Sequence, residues 1–254
     1  MKQKNRKRIG ITMTILGIDT SNKTLGVVIG EENQVISSYY SQASKNHSET
    51  LMPAIDFCMK ESRLSPKHID KIIVAKGPGS YTGLRIGVTT AKTLSWTLGA
   101  SLYAVSSLAC LAKNSQEKDK LIVPFIDARR GFLYTGAYKY ENNQLINVLP
   151  DQYILFDEWL DVLLKQEQKL VFIGEEYGKL EEKFNDLSES TDIEVILQPS
   201  NPAVMLDMSC LLEKIEDVNE FVPTYLKKVE AEEEWLKKQQ GKEVEPQSYV
   251  ERLS

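Results

Sequence analysis

Histidine and cysteine are scarce in this chain of 254 residues, which contains two histidines and three cysteines. A metal pair on a helix needs histidines four residues apart, but the residue four positions after His47 is Leu51. The sequence therefore predicts no bound metal. The cysteines show no ligand spacing, and buried thiols in a reducing cytoplasm are expected at Cys58, Cys110 and Cys210.

Long apolar runs are also missing, since no run approaches the roughly 20 residues that a membrane-spanning helix needs. The net charge of −5 disfavours broad, sequence-independent binding to nucleic acid. Residues 1–12 are basic but are followed by no apolar segment, which excludes a secretory signal. We interpret them as a disordered basic arm or as a start codon placed too early. A cytoplasmic globular protein is expected.

The glycine-rich stretch Gly77–Gly87 follows the apolar run Ile72–Ala75 and begins a helical pattern. Its third glycine comes one residue too late for a dinucleotide fingerprint. The residues after its last glycines also lack the Lys-Ser or Lys-Thr of a P-loop. The stretch is therefore interpreted as a strand-to-helix junction without a phosphate-binding motif.

Small residues recur at every fourth position of the following helix, at Gly83, Gly87 and Ala91. This spacing places them on one helix face and allows a second backbone to approach closely. Glycine inside a helix costs about 1 kcal/mol relative to alanine, which indicates a packing role. The partner is either a second protein or another helix of the same domain, and the pattern leaves both open.

The chain contains an internal duplication, because Ile18-Asp19 corresponds to Ile126-Asp127 and each half repeats three strands, a helix and a strand. Two similar α/β lobes with a cleft between them follow from this pattern. The predicted domains are residues 13–113, residues 114–215 and a tail of residues 216–254 with a charged helix. Other predicted elements include helices Ser48–Arg63, Thr82–Leu98, Tyr177–Asn185 and Pro202–Lys214 and the strand Leu145–Leu149.

Three turns lie where a two-lobed enzyme would hold nucleotide phosphates. The first turn lacks the glycine that would let its backbone close on a phosphate. The third carries two carboxylates, Glu175 and Glu176, which disfavour an anionic ligand. We expect Asp19 and Asp127 to hydrogen-bond their own turns instead. The predicted degenerate turns comprise Asp19, Thr20 and Ser21, then Asp127, Arg129, Arg130 and Gly131, and finally Gly174.

Several motifs together resemble the TsaB family, which is also called YeaZ. Tyr81 stands where that family usually has phenylalanine, and Lys227 where it commonly has arginine. The resemblance runs from about Thr14 to Trp235, and residues 1–12 have no counterpart in it. The motifs that carry it are Gly77–Gly87, Ile15–Ser21, His47–Glu49, Ile126–Gly131 and Pro223–Lys227.

The resemblance implies an actin-like (ASKHA) α/β fold with two ribonuclease-H-like lobes. It also implies a role in forming N6-threonylcarbamoyladenosine beside the anticodon of tRNA. The implied role is that of a non-catalytic subunit that activates the catalytic paralogue TsaD, with the ATPase TsaE as a further partner and TsaC as the supplier of threonylcarbamoyl-adenylate. No catalytic residue and no autonomously bound cofactor are implied, although ATP or ADP at the subunit interface is compatible with it.

The resemblance further implies that first-lobe helices pair the chain with TsaD, or with a second copy when it is alone. The expected interface residues are Ser48, Leu51, Ile55, Met59, Gly83, Arg85, Gly87, Thr90, Ala91 and Leu94. Basic pairs could add to a tRNA surface, namely Arg129, Arg130, Lys227 and Lys228. Two rival functions are an ATP- or metal-dependent enzyme of the same fold, acting alone, and a module that only binds tRNA.

Overall fold

The computed structural model describes residues 13–42, 46–191 and 193–227. Residues 1–12, Lys228 and the predicted charged helix of the tail lie outside this range. None of the helices within it combines the length and apolar character needed to span a bilayer.

The first lobe is built on a sheet in which the strand order is β11-β5-β4-β1-β2-β3. β1, β2 and β3 form an antiparallel meander, while β4 and β5 lie parallel to β1. Apolar residues dominate β1, and every one of its side chains is buried. The strands are β1 (Ile15–Asp19), β2 (Leu25–Glu31), β3 (Gln34–Ser41), β4 (Lys71–Ala75), β5 (Ser101–Val105) and β11 (Glu213–Lys214).

The second lobe repeats this arrangement, with the strand order β10-β9-β6-β7-β8. Its first three strands are again an antiparallel meander, and the last two run parallel to the first. The predicted duplication is thus present in the topology. The strands are β6 (Leu121–Asp127), β7 (Phe132–Glu141), β8 (Gln144–Leu155), β9 (Leu170–Gly174) and β10 (Glu194–Leu197).

Helices cover the outer faces of both sheets and fill the space between them. α1 and α2 pack on the first sheet, and α4 and α5 pack on the second. α3 lies in a core that contains residues of both sheets. The helices are α1 (His47–Glu61), α2 (Tyr81–Leu98), α3 (Ser107–Lys113), α4 (Phe156–Leu164) and α5 (Glu181–Ser190).

The predicted helix Pro202–Lys214 is wrong. The chain instead forms 3₁₀ helices over Pro202–Asp207 and Ser209–Leu211 and then strand β11, which pairs with β5. The first 3₁₀ helix packs tightly on the first sheet. A Cβ atom built on Gly26 would lie 2.9 Å from Pro202 Cβ, and one on Gly17 would lie 3.0 Å from Met205 Sδ. A slender 3₁₀ helix fits this narrow space.

Two other elements differ from the sequence-based prediction. The helix predicted over Tyr177–Asn185 begins only at Glu181, because Gly178 adopts a positive φ of 61° and a 3₁₀ turn precedes α5. β8 continues well beyond Leu149. It contains Pro150, which an edge strand tolerates because one side of its backbone is not paired.

Candidate functional site

The glycine-rich loop before α2 is packed against other parts of the same chain. A Cβ atom on Gly79 would lie 2.1 Å from the carbonyl oxygen of Ser21, and one on Gly77 would lie 2.5 Å from that of Thr224. The amide of Ser80 donates to the Ser21 carbonyl at 2.7 Å. Gly79 therefore leaves room for the first turn, and Gly77 leaves room for the C-terminal segment.

The small-residue face of α2 is also occupied within the chain. A Cβ atom on Gly83 would lie 2.1 Å from the Thr20 carbonyl oxygen, and one on Gly87 would lie 2.3 Å from Thr20 Oγ1. Thr20 Oγ1 donates to the Gly83 carbonyl at 2.7 Å, and Ala91 is fully buried. Gly83, Gly87 and Ala91 are thus wrongly predicted as interface residues. The close neighbour is the end of β1 rather than another helix or another protein.

Three predicted interface residues of α1 need the same correction. Leu51, Ile55 and Met59 point into the core of the first lobe and are at most 7% exposed. Helical periodicity identifies an apolar stripe, but a stripe of this kind faces the sheet of its own lobe before it can face a partner. The remaining predicted residues are accessible, with Ser48 and Arg85 exposed and Thr90 and Leu94 partly exposed.

The outward faces of α1 and α2 carry large apolar side chains that the sequence-based prediction missed. Met52 is 50% exposed, Phe57 is 47% exposed and Trp96 is 82% exposed. These residues fall out of phase with the buried stripes, which is the signal that could have revealed them. Because both helices cover the same sheet side by side, we call Met52, Phe57 and Trp96 the outer apolar residues.

The first predicted nucleotide turn is closed on itself. Asp19 is buried at the end of β1 and accepts hydrogen bonds from the Ser21 amide at 2.9 Å and the Ser21 hydroxyl at 2.6 Å. Burial raises the pKa of the Asp19 carboxyl, although the Ser21 donors oppose the shift. His47 Nε2 lies 2.8 Å from the carbonyl oxygen of Asn22 and so braces the same turn. Asp19 thus stabilises local backbone, as the sequence predicts.

The second turn is closed in the same way. Asp127 Oδ1 accepts from the amide of Arg129 at 2.7 Å, and Asp127 Oδ2 accepts from the amide of Lys179 at 2.9 Å. Arg129, Arg130 and Gly131 all have positive φ angles, of 68°, 57° and 80°. These left-handed residues turn the chain sharply between β6 and β7, and both arginine side chains are exposed.

The third turn connects the two lobes. Glu175 follows β9 of the second lobe, and its Oε2 accepts from the amide of Thr24 in the first lobe at 3.1 Å. Its Oε1 accepts from the amide of Ser200 at 3.1 Å. Burial raises the pKa of the Glu175 carboxyl, whereas these two amides oppose the shift. Glu176 forms an exposed ion pair with Lys23 of the first lobe.

Gly174, the last predicted turn residue, provides space for an aromatic ring. A Cβ atom at this position would lie 2.5 Å from Phe125 Cζ. Gly174 is therefore required by packing under the cleft, and the geometry offers no reason to assign it to a ligand.

These turns surround a cleft of about 660 Å³ between the lobes. The volume falls in the range of small-molecule sites. Asn22, Lys23 and residues 79–82 line it from the first lobe. The second-lobe and C-terminal lining residues include Asp127, Arg129, Tyr134, Glu175, Glu176 and Lys227.

Features of the cleft are unfavourable for a nucleoside triphosphate with its metal ion. The first turn is closed by Asp19 rather than by glycine, and carboxylates occupy the third turn, where they repel phosphate. Among the residues that the structure describes, no three histidine, cysteine, aspartate or glutamate side chains are grouped to hold a metal.

Comparison with known proteins supplies the family. Residues 34–235 match the family model described as "TsaD: tRNA N6-adenosine threonylcarbamoyltransferase". The tRNA threonylcarbamoyladenosine biosynthesis protein TsaB of Bacillus subtilis is 42% identical over 229 residues, which are 89% of this chain and 100% of that protein. The chain belongs to the TsaB/YeaZ family. The TsaB of Escherichia coli is 28% identical over 133 residues, which are 52% of this chain and 57% of that protein.

Solved YeaZ structures agree with the fold. YeaZ from Pseudomonas aeruginosa superposes with a TM-score of 0.68 at 20% identity, covering 84% of this chain and 100% of that one. A second structure, described as similar to the peptidase YeaZ from the same organism, gives a TM-score of 0.66 at 21% identity, covering 85% of this chain and 100% of that one. This TsaB/YeaZ chain has the actin-like α/β fold with two duplicated lobes.

The TsaB/YeaZ motif at 223–227 lies beside the glycine-rich loop. The amide of Thr224 donates to the Lys76 carbonyl at 2.7 Å, and the Tyr225 ring packs on Tyr81 with their centroids 4.9 Å apart. Lys227 lines the cleft, as does Arg129. Of the four residues predicted to contact tRNA, Lys228 lies outside the described residues.

Proposed function

We propose that this chain acts in tRNA threonylcarbamoyladenosine biosynthesis as the non-catalytic partner of TsaD. The observation that carries the proposal is its 42% identity to the Bacillus subtilis TsaB over the whole length of that protein. In this proposal the chain lies in the cytoplasm, in one complex with TsaD and TsaE that acts on tRNA. TsaC supplies that complex with threonylcarbamoyl-adenylate. When it is alone, the chain forms a homodimer through the surface that would otherwise bind TsaD.

The outer apolar residues support a pairing surface on α1 and α2. Each of these large apolar side chains is exposed to water, and a partner that covered them would gain the hydrophobic free energy of their burial. Trp96 is the most exposed of them, at 82%. Aromatic residues of this kind are enriched among those that dominate binding energy at interfaces.

The pairing surface can be tested with charged substitutions. We expect Met52→Glu and Trp96→Glu to weaken binding to purified TsaD at least about tenfold, because each buries a charge in the interface. Leu164→Glu is the matched control, since Leu164 is 54% exposed but lies on α4 of the other lobe. Binding would be followed by isothermal titration calorimetry, with circular dichroism as the check on folding.

Unchanged affinity of both α1 and α2 variants would remove this surface from the proposal. Equal weakening by Leu164→Glu would do the same, because it would show that the effect does not depend on the helices. Reconstituted threonylcarbamoylation with TsaD, TsaC and TsaE, with and without this chain, then tests activation itself.

The closed turns of the cleft support a role without catalysis. A kinase or hydrolase acting alone would need open phosphate-binding turns or a metal site. Here Asp19, Asp127 and Glu175 are all bonded to backbone amides of the chain. We therefore expect the purified chain to hydrolyse no ATP, and robust turnover that survives repurification would favour the enzyme alternative. ATP or ADP at the TsaD interface stays compatible with this proposal.

A further inference from the structure

Two cations at the cleft have no acidic partner among the residues that the structure describes. Arg129 and Lys227 both line the cleft, and within residues 13–42, 46–191 and 193–227 neither forms an ion pair. Lys23, the third cation there, is paired with Glu176. The positive charge available to a ligand is therefore concentrated on Arg129 and Lys227.

The carboxylates of the cleft are already satisfied. Asp127 accepts two backbone amides, from Arg129 and Lys179. Glu175 also accepts two, from Thr24 and Ser200. A ligand with one negative charge meets the two cations without having to displace any of these bonds.

Aromatic rings lie in the cleft and next to Lys227. Phe132 stacks on Tyr153 with centroids 4.5 Å apart and planes inclined by 6°, and Tyr134 lies 5.7 Å from Tyr153. Lys227 Nζ lies 5.8 Å from the Tyr153 centroid. Tyr134 itself lines the cleft. A planar group that enters the cleft thus meets the ring of Tyr134, in a cleft that Arg129 and Lys227 also line.

We infer that the cleft binds one nucleotide of a single-stranded RNA, with the base against Tyr134 and its phosphodiester near Arg129 and Lys227. Aromatic stacking combined with backbone-tracking cations is how proteins bind single strands with little sequence preference. A base pair within a duplex cannot enter a cleft, whereas an unstacked loop base can be splayed into it.

A free nucleotide shares the base and the phosphate but fits less well. A diphosphate or triphosphate brings several negative charges close to Asp127, Glu175 and Glu176. A phosphodiester in RNA brings only one negative charge. The charge balance of the cleft therefore favours RNA over ADP or ATP.

This inference rests on the proposed function and deepens it, because the tRNA on which the complex would act carries an anticodon loop with single-stranded bases. It depends on the cleft and not on the outer faces of α1 and α2. The Met52→Glu and Trp96→Glu variants should therefore bind RNA normally, which keeps a failure of pairing distinct from a failure of RNA binding.

The test uses fluorescence anisotropy of the full chain with a labelled seven-nucleotide single-stranded RNA, an RNA duplex of the same sequence, and ADP as competitor. We expect single-strand binding with a Kd at or below about 10⁻⁴ M. Arg129→Asn together with Lys227→Gln should weaken it at least about tenfold and lower the salt dependence, by about 0.7 in log–log slope per lost phosphate contact. Asparagine is chosen at 129 because it tolerates the positive φ there.

Substitutions at Tyr134 test whether RNA binding depends on stacking against its ring. Tyr134→Ala should weaken binding at least about tenfold, whereas Tyr134→Phe should bind as the wild type does, because stacking needs the ring and not the hydroxyl. Lys118→Gln removes an exposed cation away from the cleft and should bind normally. Thermal melts of each variant separate unfolding from loss of binding.

Four outcomes would overturn the inference. The first is no single-strand binding at these concentrations, and the second is binding that Tyr134→Ala and the double cation variant leave intact. The third is tight ADP binding that depends on Tyr134 while RNA does not bind, which would assign the cleft to free nucleotides. Duplex binding as strong as single-strand binding would also contradict it.

Discussion

At the scale of single residues, the most informative contact joins Thr20 to α2. The helix lies so close to the end of β1 that neither Gly83 nor Gly87 has room for a Cβ atom. The Thr20 hydroxyl uses this proximity to bond the Gly83 carbonyl. Small residues that indicate a docking surface in the sequence thus serve the internal packing of the first lobe.

Gly87→Ala should lower the free energy of unfolding by about 1–3 kcal/mol, because the new methyl group overlaps Thr20 Oγ1. In a Thr20→Ala background the cost should shrink, since the next Thr20 atom is 3.6 Å away. Urea unfolding of the two single variants and the double variant gives the coupling energy, expected at about 0.5–3 kcal/mol. Simple additivity would show that the two residues do not compete for this space.

The buried carboxyl of Glu175 is expected to make the stability of the folded state depend on pH. Its buried carboxyl has a pKa above the ordinary value of 4.5, so the folded state takes up this proton at a higher pH than the unfolded chain does. Between 4.5 and the raised pKa, acidification therefore stabilises the folded state through this group. The stabilisation is complete below 4.5 and is lost as the pH rises through the raised pKa.

Glu175→Gln removes this titration. The free energy of unfolding of the wild type, relative to Glu175→Gln, should therefore increase as the pH falls from neutral towards 4.5. Chemical denaturation across this range measures the difference, and Glu158→Gln on α4 is the control for losing an exposed carboxylate. A relative stability that instead grows with pH would show that the two amide donors outweigh the burial of Glu175.

At the scale of elements, hydrogen bonds and apolar contacts hold the segment after β11 against the first lobe. Lys92 of α2 donates to the carbonyls of Asn219 at 2.8 Å and Phe221 at 2.7 Å. Val218 and Phe221 also pack against the first-lobe core. The segment after the second lobe therefore completes the first lobe, which brings Lys227 to the cleft.

Lys92→Met keeps the aliphatic stem but leaves both carbonyls without their charged donor. It should lower the free energy of unfolding by about 1–2 kcal/mol and speed proteolysis of residues 216–227. Lys60→Met is the control, because Lys60 is 72% exposed and its pair with Asp56 on α1 contributes less than about 1 kcal/mol. Equal losses in the two variants would argue against a fastening role for Lys92.

At the scale of the molecule, one hydrophobic core joins the two lobes. It includes Ile15 and Ile73 of the first sheet, Ile122 and Val171 of the second, and Met205 of the 3₁₀ helix between them. The contacts of Glu175 with Thr24 and of Glu176 with Lys23 reinforce the same junction. The lobes therefore share buried surface instead of folding as independent units.

A shared core predicts one cooperative unfolding transition. Urea unfolding monitored by far-UV circular dichroism should coincide with unfolding monitored by fluorescence in a Trp96→Phe, Trp235→Phe variant, whose remaining tryptophan, Trp159, is buried in the second lobe. Met205→Ala should shift both curves together, at a cost of about 2–5 kcal/mol. Separate transitions, or a shift of only one curve, would indicate lobes that unfold independently.

The sequence by itself determined most of the elements and their repetition. Helices α1 and α2 begin and end within two residues of the predicted bounds Ser48–Arg63 and Thr82–Leu98, because helical periodicity and capping depend on near neighbours in the chain. The repeated start of the two halves likewise predicted the repeated succession of strands and helices along the chain. The role of Asp19 was also predictable, since its partner Ser21 is two residues away.

Only the tertiary structure decided which apolar faces are buried and which groups meet across the cleft. The bond from Thr24 to Glu175 spans 151 positions, and that from Thr20 to Gly83 spans 63. Periodicity shows that Leu51, Gly87 and Trp96 lie on particular helix faces, but not which face meets the sheet. That choice depends on the packing of segments far apart in the chain, because burial against a distant sheet outweighs the local preference of any one helix.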